Sequence, residues 1–236
     1  CELAGQGLRL DSAVDVTALP GFAEGQLSVQ DEAAQLAAPL LDPQPGERIL
    51  DACSAPGGKA CHLLELQPEL AELVAADNNP ERLQRVAENL QRLGLAAQLL
   101  EIDASAPGDA LVDGSFDRIL IDAPCSGSGV LRRHTDIKLL RRPTDIKPVA
   151  ELQLAILVAL WAKLGEGGTL LYVTCSILPA ENQAVITRFL EQCEDARLDP
   201  IAVDWGVDCN PGRQLLPSAA GADGLYFARL KKHPQR

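Results

Sequence analysis

At 236 residues and 47% hydrophobic content the chain suits one large domain with a substantial core, and no apolar run approaches the roughly 20 residues a membrane helix needs. A formal net charge of −12 excludes a general polyanion binder, because phosphate affinity rests on Lys and Arg releasing counterions, so any nucleic-acid surface must be local. Seven cysteines, with no CxxC pair and no Cys/His cluster, argue against a disulfide scaffold or a zinc site and fit reduced thiols in a soluble, cytoplasmic protein without metal.

Residues 1–24 lack the charged-then-apolar order of a signal peptide and include Leu19-Pro20-Gly21. They read as a linker or the tail of an upstream domain, with a single domain over 25–236. Cys1 in first place and the absence of Met point to a fragment. From Ser28, a candidate cap, Ala33, Ala34, Leu36, Ala37 and Leu40 give a helical face that Pro43 and Pro45 end. A first strand is expected over 48–52. Cys53, Ser54, Ala55, Pro56, Gly57, Gly58 and Lys59 then turn it into a helix that begins near Ala60. Glycines lacking Cβ let a ligand approach the backbone, and the helix start offers free N–H groups. A second strand, 73–76, ends in Asp77, about 20 residues past Gly57, where nucleotide-binding βαβ units place the acid that holds ribose hydroxyls. A tight turn followed by a solvated acid would read the same way.

Pro80 opens a helix to residue 93, with Leu83, Val86, Ala87 and Leu90 on one face and Gly94 as its stop. A third strand over 99–102 ends in Asp103. Ile119, Leu120 and Ile121 form the continuous apolar run of a strand buried on both faces, and Asp122, Pro124 and Cys125 follow directly in FDRILIDAPCSGSG. Asp51, Asp77, Asp103 and Asp122 thus close four successive strands, and such a series more often lines a polar ligand than serves as four separate caps. Arg132, Arg133, Lys138, Arg141, Arg142 and Lys147 come next, six of the 21 basic residues within sixteen positions, a concentration that favours phosphate contact. A helix is expected over 148–164, with Leu152, Ala155, Ile156, Ala159, Leu160 and Lys163 on its inner face and the Gly165 to Gly168 run as its end. A fifth strand, 169–173, then delivers Thr174-Cys175-Ser176 to the edge that holds Cys125. Pro179 opens a helix reaching Cys193, residues 199–224 read as loop, and 225–230 as a last strand.

Either cysteine alone could be an apolar filler; two at the ends of successive strands are harder to dismiss. The thiolate is the reactive form, and a helix N-terminus or neighbouring Arg would populate it. Only His134 lies near either cysteine in sequence, which leaves a Cys/His protease little support.

DACSAPGGK, VAADNNPER, FDRILIDAPCSGSG, RRHTDIK and GGTLLYVTCSILPAEN, with SVQDEAAQ ahead and DGLYFARLKK behind, together resemble the Sun/Fmu-type RNA cytosine-C5 methyltransferases from about residue 20 to residue 232. The resemblance implies an α/β, Rossmann-like methyltransferase fold: a mostly parallel twisted sheet with helices on both faces and a last antiparallel strand. It implies S-adenosylmethionine as methyl donor, held by the 53–59 loop, by Asp77 at the ribose, by Arg82 beside it, and by Asp103 and Asp122. By the same likeness Cys175 is the nucleophile, Cys125 assists product release, and Asp122 faces the ring nitrogen of the base. The implied substrate is RNA, with 16S ribosomal RNA favoured. A single-stranded or looped segment is expected, because the target base must leave its stack. Arg132, Arg133, Lys138, Arg141 and Arg142 would then meet phosphates, and a monomer is expected. In the bacterial proteins a helical RNA-binding domain precedes this one, so residues 1–24 would be its remnant. Ser54, Ala60 and Thr135 depart from the family pattern, which has CAAPGGKT in the loop and commonly Pro at the last position. Two alternatives stand beside this reading: an NAD-dependent dehydrogenase, which shares the glycine loop and Asp77 but leaves both cysteines unexplained, and a non-catalytic module that holds RNA or cofactor without turnover.

Overall fold

Runs of Ile, Leu, Val and Ala with no polar alternation build the middle of one sheet, as strands buried on both faces must. In the computed structural model, which describes residues 1–218 and 221–234, the elements are α1 (Ala37–Leu41), β1 (Arg48–Ala52), α2 (Gly58–Leu66), β2 (Glu72–Asp77), α3 (Pro80–Leu93), β3 (Gln98–Glu101), β4 (Phe116–Asp122), α4 (Ile137–Leu140), α5 (Pro143–Trp161), β5 (Leu164–Thr174), α6 (Gln183–Gln192), β6 (Ala196–Asp199), β7 (Val207–Asp208), β8 (Arg213–Leu215) and β9 (Leu225–Lys232). Residues 219–220 of the expected loop and 235–236 of the expected domain lie outside the described residues.

The strand order is β3-β2-β1-β4-β5-β9-β8-β7, with β6 also on β9. Pairing is parallel from β3 through β5, and β9 runs antiparallel to β5, β6 and β8. The fold is the expected Rossmann-like methyltransferase sheet. One core layer packs Leu63, Leu83, Val86 and Leu90 of α2 and α3 against Ile49, Leu120 and Leu171. The other packs Leu154, Leu157 and Leu160 of α5 and Phe189 of α6 against Leu50, Ile119 and Tyr172. Each fully buried Leu or Ile contributes about 1.5–3 kcal/mol relative to exposure, so the centre of the sheet is its most stable part.

Chain order reverses at β1, whose successors β2 and β3 lie on one side and β4 and β5 on the other. Ligands of open α/β sheets bind outside the carboxyl ends at such a switch point, which here is the space between the loops after β1 and β4.

Several local expectations are corrected. Ser28 caps nothing: Asp31 accepts from Ala33 N (2.9 Å), a short 3-10 turn at Ala34–Leu36 precedes α1, and Asp42 ends α1 in the left-handed region. α5 begins at Pro143 rather than Pro148, which lies inside it. Its buried face carries Gln153, Leu154 and Leu157, while Leu152 and Ala155 are exposed. The Gly165 to Gly168 run does not end a helix but belongs to β5, which pairs with β4 through a register shift between Phe116 and Arg118. Pro179 lies in a turn and α6 starts only at Gln183. The expected 199–224 loop contains β7 and β8, short strands sustained by pairing outward from β9. Residues 1–24 hold one 3-10 turn at Val16–Ala18 and lie against the domain: Arg92 donates to Phe22 O and Leu27 O (both 2.9 Å) and stacks over the Phe22 ring.

Candidate active site

The 53–59 loop is cross-tied from the strand and helix beside it. Ser54 N donates to Ala76 O (2.8 Å), Ala55 N to the Asp77 carboxylate (3.3 Å), Arg82 to Ala55 O (2.9 Å) and Asn89 to Pro56 O (2.9 Å). Gly57 caps α2 with φ +98°, and an added Cβ would sit 3.0 Å from the Val86 side chain, so the turn admits only glycine without strain.

Beneath the loop Asp51 is fully buried. Ser54 Oγ donates to one of its oxygens (2.9 Å), and the other has no partner among the described residues. Burial pushes its carboxyl up to about 7, with Asp122 and Asp77 adding to the rise against Ser54 and Lys59. A carboxyl with a raised folded-state pKa binds its proton more tightly when folded, so its contribution to stability falls as pH rises from its ordinary value of 3.8 to about 7. The expected slope is at most about 1.4 kcal/mol per pH unit. Urea unfolding of wild type and Asp51→Asn should therefore diverge in favour of the variant between pH 4 and pH 7 and run parallel above that. A difference independent of pH would mean that Asp51 is ionised throughout.

A cleft of about 240 Å³ opens where the switch point predicts it, lined by Cys53, Ala76, Asp77, Asn78, Arg82, Ile102, Asp103, Ala104, Asp122, Pro124, Leu152 and Ile156. Of the residues expected at the cofactor, Cys53, Asp77, Arg82, Asp103 and Asp122 line it, whereas Ser54, Ala55, Pro56, Gly57, Gly58 and Lys59 are not among its lining residues. The walls combine apolar Ile102, Ala104, Leu152 and Ile156 with three carboxylates. That donor set fits a ligand with a flat apolar part, hydroxyls and a positively charged end. The Cys53 thiol is pushed up to about 12, mainly by burial and then by Asp122, so it lines the cleft as a neutral thiol.

Asp122 is one of the carboxylates that line the cleft, and Lys59 Nζ lies 2.6 Å from it, which fixes the group that closes β4. Beyond it the two expected cysteines come together: Cys125 Sγ and Cys175 Sγ are 3.2 Å apart, both thiols free. The register explains this. Asp122 pairs with Val173, Ala123 N continues the ladder to Val173 O (2.9 Å), and Gly129 N returns to Cys175 O (2.9 Å). An added Cβ at Gly129 would fall 1.9 Å from Gly224 O, so this return again requires glycine.

The hydrogen bond between the sulfurs holds the Cys175 thiol below its ordinary value, aided by Lys59 and opposed by burial and Asp122, while the same bond and then burial push Cys125 well up. Of the two, Cys175 is the one that favours the thiolate and Cys125 the one that favours the protonated thiol. The stabilisation expected from a neighbouring Arg or helix end comes instead from the hydrogen bond of a thiol and the charge of a lysine.

The basic stretch divides. Arg133 is ion-paired to fully buried Asp223, and Arg132 lies 3.5 Å from Asp223 and 3.9 Å from Asp31. Arg141 donates to Ser126 O (2.9 Å). These three brace the loop after Cys125, whereas the Lys138, Arg142 and Lys147 side chains are exposed beside it. Sequence reasoning missed the cleft's Asn78, Ile102, Ala104, Leu152 and Ile156, the support from Gln153 to Pro124 O (2.8 Å), and the buried group of Ser126, Ser176, Glu181 and Asn182 beneath the cysteines. The available signal was a serine directly after each cysteine, in Cys125-Ser126 and Cys175-Ser176.

A sequence profile described as 16S rRNA methyltransferase RsmB/F matches residues 38–231. The chain belongs to this family. As an RsmB/F family member it is 52% identical over 237 residues to a ribosomal RNA small subunit methyltransferase B from Pseudomonas syringae pv. tomato, covering 98% of this chain and 53% of that protein. It is 53% identical over 232 residues to the protein of that description from Vibrio cholerae, covering 97% and 51%. The chain spans about half the length of these relatives. Among solved structures it resembles NSun6 from Pyrococcus horikoshii, solved with SFG (27% identity, TM-score 0.84, 94% of this chain and 57% of that one). It also resembles a methyltransferase homolog protein from Pyrococcus horikoshii (32% identity, TM-score 0.80, 94% and 73%). RsmB/F membership sets aside the dehydrogenase alternative.

Proposed function

We propose that this chain carries the catalytic machinery of an RNA cytosine-C5 methyltransferase, with S-adenosylmethionine as donor and a cytosine of 16S ribosomal RNA as acceptor. The observation that carries the reading is the pair of sulfurs 3.2 Å apart, one favouring the thiolate and the other the thiol, beside the Lys59–Asp122 pair whose carboxylate lines the cleft. Support for the donor comes from NSun6, whose bound SFG is an S-adenosylmethionine analogue. The cleft accommodates such a molecule: Asp77 for ribose hydroxyls, Ile102, Leu152 and Ile156 for the adenine, Asp103, Asp122 and Arg82 for the remaining polar groups.

Cytosine C5 is a poor nucleophile. Addition of the Cys175 thiolate to C6 makes a sulfur–carbon bond and moves the ring's electron pair toward C5 and N3. Asp122 lies toward N3, and a proton passed from Lys59 Nζ through Asp122 answers the charge that builds there. Bound S-adenosylmethionine supplies an electrophilic methyl group to such an activated carbon. Afterwards the C5 proton leaves to a base, the electron pair reforms the C5–C6 bond, and Cys175 departs as thiolate. Cys125 is the thiol adjacent to that departing sulfur. The exposed Lys138 and Arg142, with the outer edges of Arg132, Arg133 and Arg141, meet the phosphates of a looped strand.

The test is incubation of the chain with methyl-labelled S-adenosylmethionine and 16S ribosomal RNA, followed by nucleoside mass spectrometry. Label in 5-methylcytidine is the expected result. Label on another atom, or none with RNA at concentrations that saturate binding, would sink the proposal.

A further inference from the structure

β4 and β5 stop at Asp122 and Thr174, so the sheet ladder alone does not hold Cys125 and Cys175 together. A buried group beneath them ties the two loops as well, alongside the Gly129 N to Cys175 O bond and the Ser128 contacts to Ser176 and Ile177. Glu181 is fully buried, and its carboxylate accepts from Ser126 N (2.7 Å), Ser126 Oγ (2.6 Å) and Ser176 Oγ (2.5 Å). Ser126 directly follows Cys125, and Ser176 directly follows Cys175. A buried carboxylate is costly unless its hydrogen bonds are well made, and here all three come from the residues directly after the two cysteines. The mount is itself held: Tyr172 Oη donates to Glu181 O (2.8 Å), Asn182 Nδ2 donates to Ser176 O (2.9 Å), and Thr174 Oγ1 donates to Asn182 Oδ1 (2.6 Å).

We propose that Glu181 is a positioning residue, a buried clamp that grips the residue after each cysteine and keeps the two sulfurs within hydrogen-bond reach; the inference rests on the two-thiol reading above. Glu181 touches neither the cleft nor the sulfurs, so it acts through Ser126 and Ser176. Shape accounts for the clamp more than charge does: an amide could still accept from Ser126 N and donate to the serine hydroxyls, which can reverse their own bonds.

The proposal is tested with Glu181→Ala, Glu181→Gln and Ser176→Ala, the last cutting the tether to the second loop together with the Ser176 Oγ contacts to Ser128 Oγ and Leu178 N (both 3.0 Å). In glutathione buffers, glutathione disulfide takes two electrons from the pair, giving a Cys125–Cys175 disulfide and two glutathione thiols, and the oxidised fraction is read by mass spectrometry after alkylation. The effective concentration of one thiol at the other is expected to fall roughly tenfold or more in Glu181→Ala, several-fold in Ser176→Ala, and less than about threefold in Glu181→Gln. Methyl transfer should follow the same order in kcat, with KM for RNA nearly constant. If circular dichroism shows Glu181→Ala unfolded, Ser176→Ala decides. Thiol coupling equal to wild type in every folded variant overturns the clamp. Coupling that falls as expected in a protein that transfers no methyl to RNA supports the clamp and removes the proposed function instead.

Discussion

Cys175→Ala is expected to abolish methyl transfer, with kcat falling roughly 10,000-fold or more, the scale on which removal of a covalent nucleophile acts, while affinity for S-adenosylmethionine stays within about twofold. The split follows from geometry. Cys175 lies beyond Asp122, outside the set of residues that line the cleft, so its removal takes nothing from the cofactor's walls. Its replacement leaves Cys125 with burial but without its hydrogen-bond partner, and the proton that now sits between two sulfurs has a single owner. Calorimetric titration with S-adenosylmethionine and single-turnover methylation check the two halves separately. Turnover within tenfold of wild type would falsify the nucleophilic role.

Legibility followed the range of the physics. β1, β2, β4 and β5 could be read because burial on both faces demands uninterrupted apolar runs, and Asp51, Asp77 and Asp122 stand at or next to the carboxyl ends of the first three. Asp51 was read among those acids, yet it lies one residue inside β1 and is wholly buried, a difference invisible in the sequence because it depends on the loop folding over it. Pro143 and Pro148 both carry helix-start letters, and only packing decides that the first is used. β6, β7 and β8 are two to four residues long and have no period of their own; each exists because β9 or its neighbour offers an edge. The cysteines could be found because each follows a strand. The partner of Arg133 could not, because Asp223 is ninety positions away and meets it only after β9 has joined the sheet. Glu181 was hidden for a related reason: nothing in Ala180-Glu181-Asn182 says that two separate loops will converge on it.

Cys125→Ala is expected to differ from Cys175→Ala in one respect: its loss of turnover comes with accumulation of a covalent protein–RNA adduct. In the proposed cycle the last bond to break joins Cys175 to C6, and it breaks only when the C5 proton has been removed. Cys125 Sγ stands 3.2 Å from the departing sulfur and, as the protonated partner, can donate to the thiolate as it forms. Alanine leaves that charge in a half-buried site without its principal hydrogen bond, so release slows while addition still proceeds through the weakened nucleophile. Losing the donor also raises the Cys175 thiol toward the ordinary range, so its thiolate fraction near neutral pH falls and iodoacetamide should modify it more slowly in Cys125→Ala than in wild type. The sign differs between the two measurements, slower alkylation of the free enzyme but more adduct with RNA, and that pairing separates a release function from a general loss of structure. On a denaturing gel the adduct should appear as a slowly migrating band that ribonuclease collapses and that the Cys125→Ala, Cys175→Ala double variant lacks. A Cys125→Ala protein that turns over without such a band would assign release to another group near Asp122, and Lys59 would be the first to replace.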